Sequence, residues 1–302
     1  MSRPVDALIE FLRAEEARGV SHVHLDEEAR VVLRELNARS RGGSRPAAVP
    51  TAPARPVVAE PVAEKRGPIL SLEPSPTPAP APAPVRTAAI VTAEGDSPAA
   101  RIAALKQQAE NWAPAKALGS LRTTMVFSTG NPEAELMLVG EAPGYQEERQ
   151  QEPFVGPAGQ KLNDILKAMG LPRETVYITN IVKFRPAMPG QTTNNRPPDE
   201  SEMATCLPFI KAEIGIVRPK CIVALGGSAA KGLLGRDEAV ARLRGSWHEF
   251  EGVPVRVTYH PSYLLRGTSG NEDKRKVWED MLEVMQQLGL PISDKQRGYF
   301  QK

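Results

Sequence analysis

The sequence has few of the residues that define disulfide-bonded, metal-binding or membrane proteins. Its 302 residues include two cysteines, Cys206 and Cys221, too few for a disulfide framework or an all-cysteine metal site. No apolar run approaches the length of a membrane span, and the first residues lack the apolar core of a signal peptide. These absences predict a cytoplasmic protein that makes no membrane contact.

The chain also lacks a strong excess of charge of one sign. It has 38 basic and 36 acidic residues, a formal net charge of +2. The bulk charge therefore offers no general attraction to nucleic acid, and any such contact must come from local clusters.

Proline, in contrast, is abundant and unevenly distributed. Nearly half of the 29 prolines lie between Pro46 and Pro98, including an alternating Pro-Ala run at 74–84. Such a segment has too little apolar mass to offset the entropy of folding and is typical of an extended linker. We therefore predict an N-terminal helical module at 1–40, a Pro/Ala-rich disordered linker at 41–98 and a folded domain at 99–302.

The N-terminal module is predicted to contain two helices, Val5–Arg18 and Asp26–Asn37. Between them, His22 and His24 are either a metal pair or part of a polar turn. The turn is favoured because no carboxylate or cysteine partner accompanies them. Nothing in the module indicates chemistry, so we expect it to tether a repair or replication protein.

In the folded domain, short apolar strands alternate with helices. This pattern predicts a three-layer α/β/α fold with a central four-stranded parallel sheet. The predicted strands are Leu136–Val139, Val176–Ile181, Ile222–Leu225 and Val255–Tyr259. The predicted helices are Pro98–Asn111, Gln160–Met169, Glu200–Val217, Ala229–Leu234 and Asp273–Leu288.

Unusual motifs follow the predicted strands, where α/β sheets bind ligands. They read GEAPG at 140–144, PFVGPAG at 153–159, TN at 179–180 and HPSYLLR at 260–266. Phe154 offers a face on which a base can stack, and Asn180 offers a donor and an acceptor that can read a base edge. His260 can stabilise negative charge on a departing ring. The residues after it suit a protein that holds an extruded nucleotide.

Taken together and in this order, over about residues 126–288, these motifs resemble the uracil-DNA glycosylase superfamily. The resemblance is strongest to its family 4 branch, which usually carries an iron–sulfur cluster. It implies a hydrolase that cuts the N-glycosidic bond of uracil flipped out of DNA and so initiates base excision repair. U:G mismatches or single strands should be preferred, since flipping costs least there. A nucleoid-associated monomer is expected.

The resemblance also implies roles for individual residues. Phe154 would stack on uracil, Asn180 would read its polar edge, and His260 would support the uracil anion. Other branches activate water with an Asp at the position of Ala142, so Glu141 is only a candidate base. The implied catalytic set is His260, Glu141 and Asn180. The implied uracil-binding set is Ala142, Pro143, Gly144, Phe154, Asn180 and His260. The implied DNA-binding set is Arg185, Ser262, Tyr263, Leu264 and Arg266, with Leu264 filling the vacated stack.

Each of these roles has a structural alternative. Phe154 could be a core aromatic, Asn180 a cap on a strand end, and His260 a histidine satisfied within the fold. Leu265 is expected in the core. Two further residues, Glu147 and Glu148, are expected to be solvated surface charges.

The chain departs from the family pattern at two places. Three of the four implied cluster ligands are replaced, by Ala113, Lys116 and Phe184, which leaves Cys206 as a lone remnant. Because four thiolates normally hold such a cluster, we predict no cofactor and no metal. In addition, Gln151-Glu152 replaces the usual Gly-Arg, which puts an anion near the DNA-facing loop.

These departures leave two further functions open. One is a damaged-DNA binding protein that kept the pocket but lost most turnover. The other is a glycosylase for another deaminated base, hypoxanthine or xanthine.

Overall fold

The structure is a computed structural model that describes residues 91–265 and 270–300. The predicted N-terminal module, its histidines, most of the predicted linker and Arg266 lie outside the described residues. The predicted domain, in contrast, is described over nearly all of its length. Among the described residues, none of the helices is both long enough and apolar enough to cross a bilayer.

A six-stranded sheet forms the centre of the fold, in the order β2-β4-β3-β6-β8-β7. Its four inner strands are parallel, and the two edge strands pair antiparallel to them. The strands are β1 Leu121–Met125, β2 Ser128–Gly130, β3 Leu136–Gly140, β4 Tyr177–Asn180, β5 Phe184–Pro186, β6 Cys221–Leu225, β7 Trp247–Phe250 and β8 Val253–Thr258. The four predicted parallel strands are thus confirmed with small shifts at their ends, and the sheet is wider than predicted.

Helices cover both faces of this sheet. In chain order they are α1 Pro98–Glu110, α2 Ala113–Leu118, α3 Tyr145–Gln150, α4 Pro157–Met169, α5 Glu200–Val217, α6 Gly227–Leu234, α7 Val240–Leu243, α8 Asn271–Gln287 and α9 Asp294–Arg297. Short 3-10 helices lie at Arg173–Thr175 and Pro261–Leu265. The five helices predicted in the folded domain are all present, and α3 is a short helix that was not predicted.

Two apolar layers separate the sheet from the helices. On β3, Met137 and Val139 face the layer that contains side chains of α1, α5 and α6. Leu136 and Leu138 face the opposite layer, with side chains of α4 and α8. Because alternate residues of a strand point to opposite faces, continuous apolar strands bury both sides of the sheet. The predicted three-layer architecture is confirmed.

The edge strands are the part of the sheet that the sequence did not predict. β7 and β8 form a hairpin whose turn residues, Glu251 and Gly252, have φ of 50° and 77°. Such a turn usually carries Asn-Gly or Asp-Gly, and Glu-Gly gives a weaker signal. Elsewhere, β1 pairs with β5 in a separate two-stranded sheet, and neither strand was predicted.

Candidate active site

The predicted site residues lie at the carboxyl ends of parallel strands. Gly140 ends β3 and is paired in register with Asn180, which ends β4. His260 follows the end of β8, which pairs with β6, the other neighbour of β3. The loops after these strands therefore open at one edge of the sheet.

Gly140 allows two of these side chains to approach the same point. A Cβ on Gly140 would lie 2.5 Å from Cζ of Phe154 and would overlap Oδ1 of Asn180. Asn180 and Phe154 are 2% and 5% exposed. The Phe154 ring is therefore a buried wall of the site. Only glycine fits between the ring and the amide.

The His260 imidazole lies beside the same ring. The ring centroids of Phe154 and His260 are 5.7 Å apart, with 31° between the ring planes. Gly226, with φ of 93°, makes room for His260, because a Cβ there would lie 2.9 Å from the histidine Cβ. An aromatic ring, an amide and an imidazole thus share one corner of the sheet.

Hydrogen bonds assign the tautomer of His260. The backbone N–H of Ser262 donates to Nδ1 over 3.2 Å, and the Ser262 hydroxyl lies 2.7 Å from the same atom. Because Nδ1 accepts a hydrogen bond, the single N–H of the neutral ring is at Nε2. Burial lowers the pKa of His260, and the carboxylates of Glu141 and Glu147 oppose that shift only in part. The imidazole is therefore neutral at pH 7 and has one N–H to donate.

The GEAPG loop presents a mixture of buried and half-buried groups. Pro143 is buried, whereas Glu141, Ala142 and Gly144 are half-buried. Ala142 packs against the apolar core. The Glu141 carbonyl accepts the N–H of Val182 over 3.0 Å, which joins this loop to the segment after β4. Glu141 is thus held by its backbone close to His260.

Two glutamates of α3 have structural roles that the sequence analysis missed. Oε1 of Glu147 accepts the backbone N–H groups of Val155 and Gly156 over 3.1 and 2.8 Å. Glu148 is buried and accepts from Arg122 over 2.6 Å and from Arg185 over 2.9 Å. The expectation that both are solvated surface charges is wrong. No local pattern in the sequence distinguishes a carboxylate that binds a distant loop from one that faces water.

The prediction that Arg185 contacts DNA is also wrong. Its side chain is 1% exposed and donates to the Glu148 carboxylate and the Asn195 side chain, each over 2.9 Å. A second terminal nitrogen donates to the carbonyls of Thr192 and Asn194. With its donors used inside the fold, Arg185 fastens the long loop after β5 to α3.

The predicted DNA-binding residues after His260 lie in the 3-10 helix at Pro261–Leu265. Ser262 is exposed, and Tyr263 stacks on Tyr259 with centroids 4.9 Å apart and 17° between planes. Leu264 is half-buried. Leu265 is 46% exposed, so its expected core position is wrong. Leu265 is the apolar side chain that projects from this rim.

The residues at the implied cluster positions do not fit an iron–sulfur cluster. Phe184 and Cys206 are buried, while Ala113 and Lys116 are exposed. Of the four implied positions only Cys206 carries a thiol, and four thiolates normally hold such a cluster. Cys221, the second cysteine, lies in the opposite apolar layer. Within 91–265 and 270–300, no group of three or more His, Cys, Asp or Glu side chains could hold a metal ion.

Comparisons with known proteins agree with this geometry. The model of the uracil DNA glycosylase superfamily matches residues 127–282. The Type-4 uracil-DNA glycosylase of Thermotoga maritima is 42% identical over 162 residues, which cover 53% of this chain and 81% of the relative. The Type-4 enzyme of Sulfurisphaera tokodaii is 36% identical over 192 residues, covering 61% and 83%. That of Pyrobaculum aerophilum is 40% identical over 157 residues, covering 49% and 77%.

The ends of the parallel strands in this α/β/α fold bring a ring, an amide and a neutral imidazole together. The matched residues span β2 to α8 and include these three side chains. The chain belongs to the uracil-DNA glycosylase superfamily.

Proposed function

We propose that this protein is a uracil-DNA glycosylase, a hydrolase that cuts the N-glycosidic bond of uracil flipped out of DNA and initiates base excision repair. The observation that carries the proposal is the convergence of Phe154, Asn180 and His260 at one edge of the sheet. The Type-4 names of the relatives support the same activity.

Recognition of the base would depend on Phe154 and Asn180. The Phe154 ring supplies a rigid face for stacking, which is worth about 1–3 kcal/mol per base. The Asn180 amide carries a donor and an acceptor in one plane, as the polar edge of uracil requires. Because both side chains contact Gly140, their relative positions are set before the substrate arrives.

Bond cleavage would depend on electrostatic stabilisation of the leaving base. As the bond breaks, negative charge develops on the uracil ring, and the Nε2–H of a neutral His260 donates to it. DNA phosphates stabilise the sugar cation. The side chain of Glu141, close enough to His260 to affect its pKa, is the candidate to orient the attacking water. Ala142 offers no carboxylate for that task, so we expect modest turnover.

The remaining contacts and partners are part of the same proposal. DNA that contains uracil, in a U:G mismatch or a single strand, is the proposed substrate. Leu264 and the exposed Leu265 are the apolar candidates to fill the vacated stack, and Arg266 the candidate to contact a phosphate. We further propose that the protein acts as a monomer at the nucleoid, with residues 1–40 tethering a repair or replication protein.

The absence of an iron–sulfur cluster is also proposed, since the donor set above does not suit one. Aerobically and anaerobically purified protein should contain far less than stoichiometric iron and should lack visible absorbance near 400 nm. An iron chelator should leave uracil release and thermal unfolding unchanged. Stoichiometric iron in the anaerobic preparation would contradict the proposal.

A labelled oligonucleotide with one uracil tests the activity. Incubation with the protein and then alkali should cleave the strand at uracil, in single strands and opposite guanine. Parallel oligonucleotides with hypoxanthine or xanthine test the shifted specificity. Tight binding to uracil DNA without cleavage, under single-turnover conditions, would instead favour a damaged-DNA binding protein.

A further inference from the structure

Phe154, the proposed stacking residue, has a backbone conformation that its side chain disfavours. Its φ is 55°, in the left-handed region that non-glycine residues rarely adopt. The ring is nevertheless buried, 5% exposed, against Gly140. Strain of this kind persists only where surrounding contacts determine the conformation.

The two dihedral angles of Phe154 are set by the orientations of the peptide groups before and after it. The following peptide is held through its N–H, because Val155 donates to Oε1 of Glu147 over 3.1 Å. The preceding peptide is held through its carbonyl, because Nη2 of Arg173 donates to the Pro153 oxygen over 2.6 Å. Fixing both peptide groups fixes the angle at which the ring leaves the backbone.

Arg173 is itself held in place by two neighbouring side chains. Its Nη1 donates to Oδ1 of Asn163 on α4, and Nη2 also donates to the Glu152 carboxylate, each over 3.1 Å. The side chain is 22% exposed, less than the 43% of Glu152. The ion pair also neutralises the anion that the sequence analysis expected to face DNA. The planar guanidinium serves these three acceptors from two nitrogens held in a fixed fork, whereas the three donors of a lysine all lie on one atom.

We propose that Arg173 is a positioning residue, which holds Phe154 in its left-handed conformation so that the ring is ready to stack on the extruded base. That the ring stacks on a base rests on the proposed function. That Arg173 fixes the backbone conformation of Phe154 does not. Without Arg173, the Pro153–Phe154 peptide is free to rotate, Phe154 relaxes toward negative φ, and the ring leaves Gly140.

The test compares Arg173→Ala in two backgrounds under single-turnover conditions. In the otherwise unchanged protein, we expect uracil release to slow by roughly tenfold, as relief of such backbone strain implies. In a Phe154→Ala background, the same substitution should slow release by less than about twofold, because a residue that acts only through the ring has nothing left to position. Equal losses in both backgrounds, or no loss in either, would overturn the proposal.

Hydrogen exchange at the Val155 and Gly156 amides measures the backbone part without reference to activity. Arg173→Ala should speed exchange at both amides, and Arg173→Lys should give an intermediate rate. Glu152→Gln keeps an oxygen that can accept from Nη2 of Arg173 and removes only the charge. It should therefore change neither exchange nor activity by more than about twofold, since an ion pair with an exposed partner contributes little. Lys161→Ala controls for the loss of one positive charge on the exposed surface of α4.

The two measurements separate the two proposals. If the unchanged protein releases no uracil but Arg173→Ala still speeds exchange, the proposed function fails and the positioning of Phe154 stands. If the protein is active and Arg173→Ala leaves both exchange and release unchanged, the positioning role fails alone. Should Arg173→Ala not fold, Arg173→Lys provides the same comparison.

Discussion

The uracil pocket and the corner where the family places its cluster differ in how closely they follow the family pattern. In the pocket, the implied residues Phe154 and Asn180 meet at Gly140, and His260 lies beside the Phe154 ring. We call the second region the fastening corner and define it by the residues Trp112, Phe184, Arg196, Glu202, Cys206 and Phe209. In and next to it, three of the four implied ligands of an iron–sulfur cluster are replaced.

The fastening corner joins its segments through hydrogen bonds, ring packing and an ion pair. Trp112 donates its indole N–H to the Thr205 carbonyl over 2.9 Å and packs edge-on against Phe209 with centroids 5.1 Å apart. Arg196 donates to the carbonyls of Ser120 and Ala187 over 3.0 and 2.9 Å. It also forms a two-bond contact with Glu202.

These contacts connect the end of α2, the end of β5 and the start of α5. The implied cluster positions lie in or next to the same three segments, which here are joined by apolar packing and an ion pair. Chemistry at a base requires particular groups at particular points. Holding segments together requires only enough favourable contact, which many residue types supply. The comparison predicts that pocket variants lose activity and corner variants lose stability.

The largest expected effect is the loss of activity in His260→Ala. Removing one donor to a developing anion typically slows a reaction by about 10²–10³-fold. The melting temperature should change little, because the ring is half-buried at the rim of the site. Uracil release and thermal unfolding are measured on the same preparation. His248→Ala, which removes the other described histidine, is the control, and its activity should stay within about twofold.

If His260→Ala kept most of its activity, the expectation that pocket variants lose activity would be contradicted. Retained activity would mean that the backbone donors of the GEAPG loop supply most of the anion stabilisation. A large drop in melting temperature would instead support the structural alternative for His260.

The next largest effect is expected in the fastening corner, for Phe184→Ala. Truncating a buried phenylalanine usually costs about 3–5 kcal/mol, and Phe184 is 3% exposed. In a domain of this size, each kcal/mol lowers the melting temperature by about 2–4 °C. Below the melting transition, single-turnover uracil release should be within about threefold of the unchanged protein. Phe250→Ala, at a half-buried phenylalanine of β7, should cost clearly less.

The sequence predictions were accurate for the parallel core of the sheet and inaccurate for its edges. Continuous apolar strands such as Leu136–Val139 predicted the parallel core correctly, because burial on both faces leaves a strong local signal. Edge strands were missed, since β2 has three residues and the β7–β8 turn lacks the usual Asn-Gly pair. A local sequence pattern predicts a strand or helix only where nearby residues, and not distant contacts, determine that strand or helix.

Within the site, the residues proposed to contact the base were predictable and the residues that hold them were not. Phe154, Asn180 and His260 stand in motifs with unusual local composition. Glu147 and Arg173 are ordinary surface-type residues whose partners lie 8 to 21 positions away in the chain. Arg185 was predicted to contact DNA, although here buried acceptors use its donors. Such long-range hydrogen bonds leave no periodic signal in the sequence.

The smallest expected effect is that of Glu202→Gln, which tests the polar half of the fastening corner. Burial alone raises the pKa of Glu202, but hydrogen bonds from Arg196 and Ser120 outweigh it, so the pKa is lowered. A lowered pKa stabilises the fold above the unfolded value of about 4.3, and that stability is lost as pH falls through the folded pKa. Glutamine keeps the capping contact at the start of α5 but cannot pair with the guanidinium.

We therefore expect Glu202→Gln to lower the free energy of unfolding by about 1–2 kcal/mol at pH 7. The difference from the unchanged protein should shrink below about pH 4, where protonation removes the same charge. Denaturant titrations at several pH values measure both quantities. Glu200→Gln, at an exposed position of the same helical turn, should cost less than about 0.5 kcal/mol at every pH. If Glu202→Gln were as neutral as this control, apolar packing alone would hold the corner.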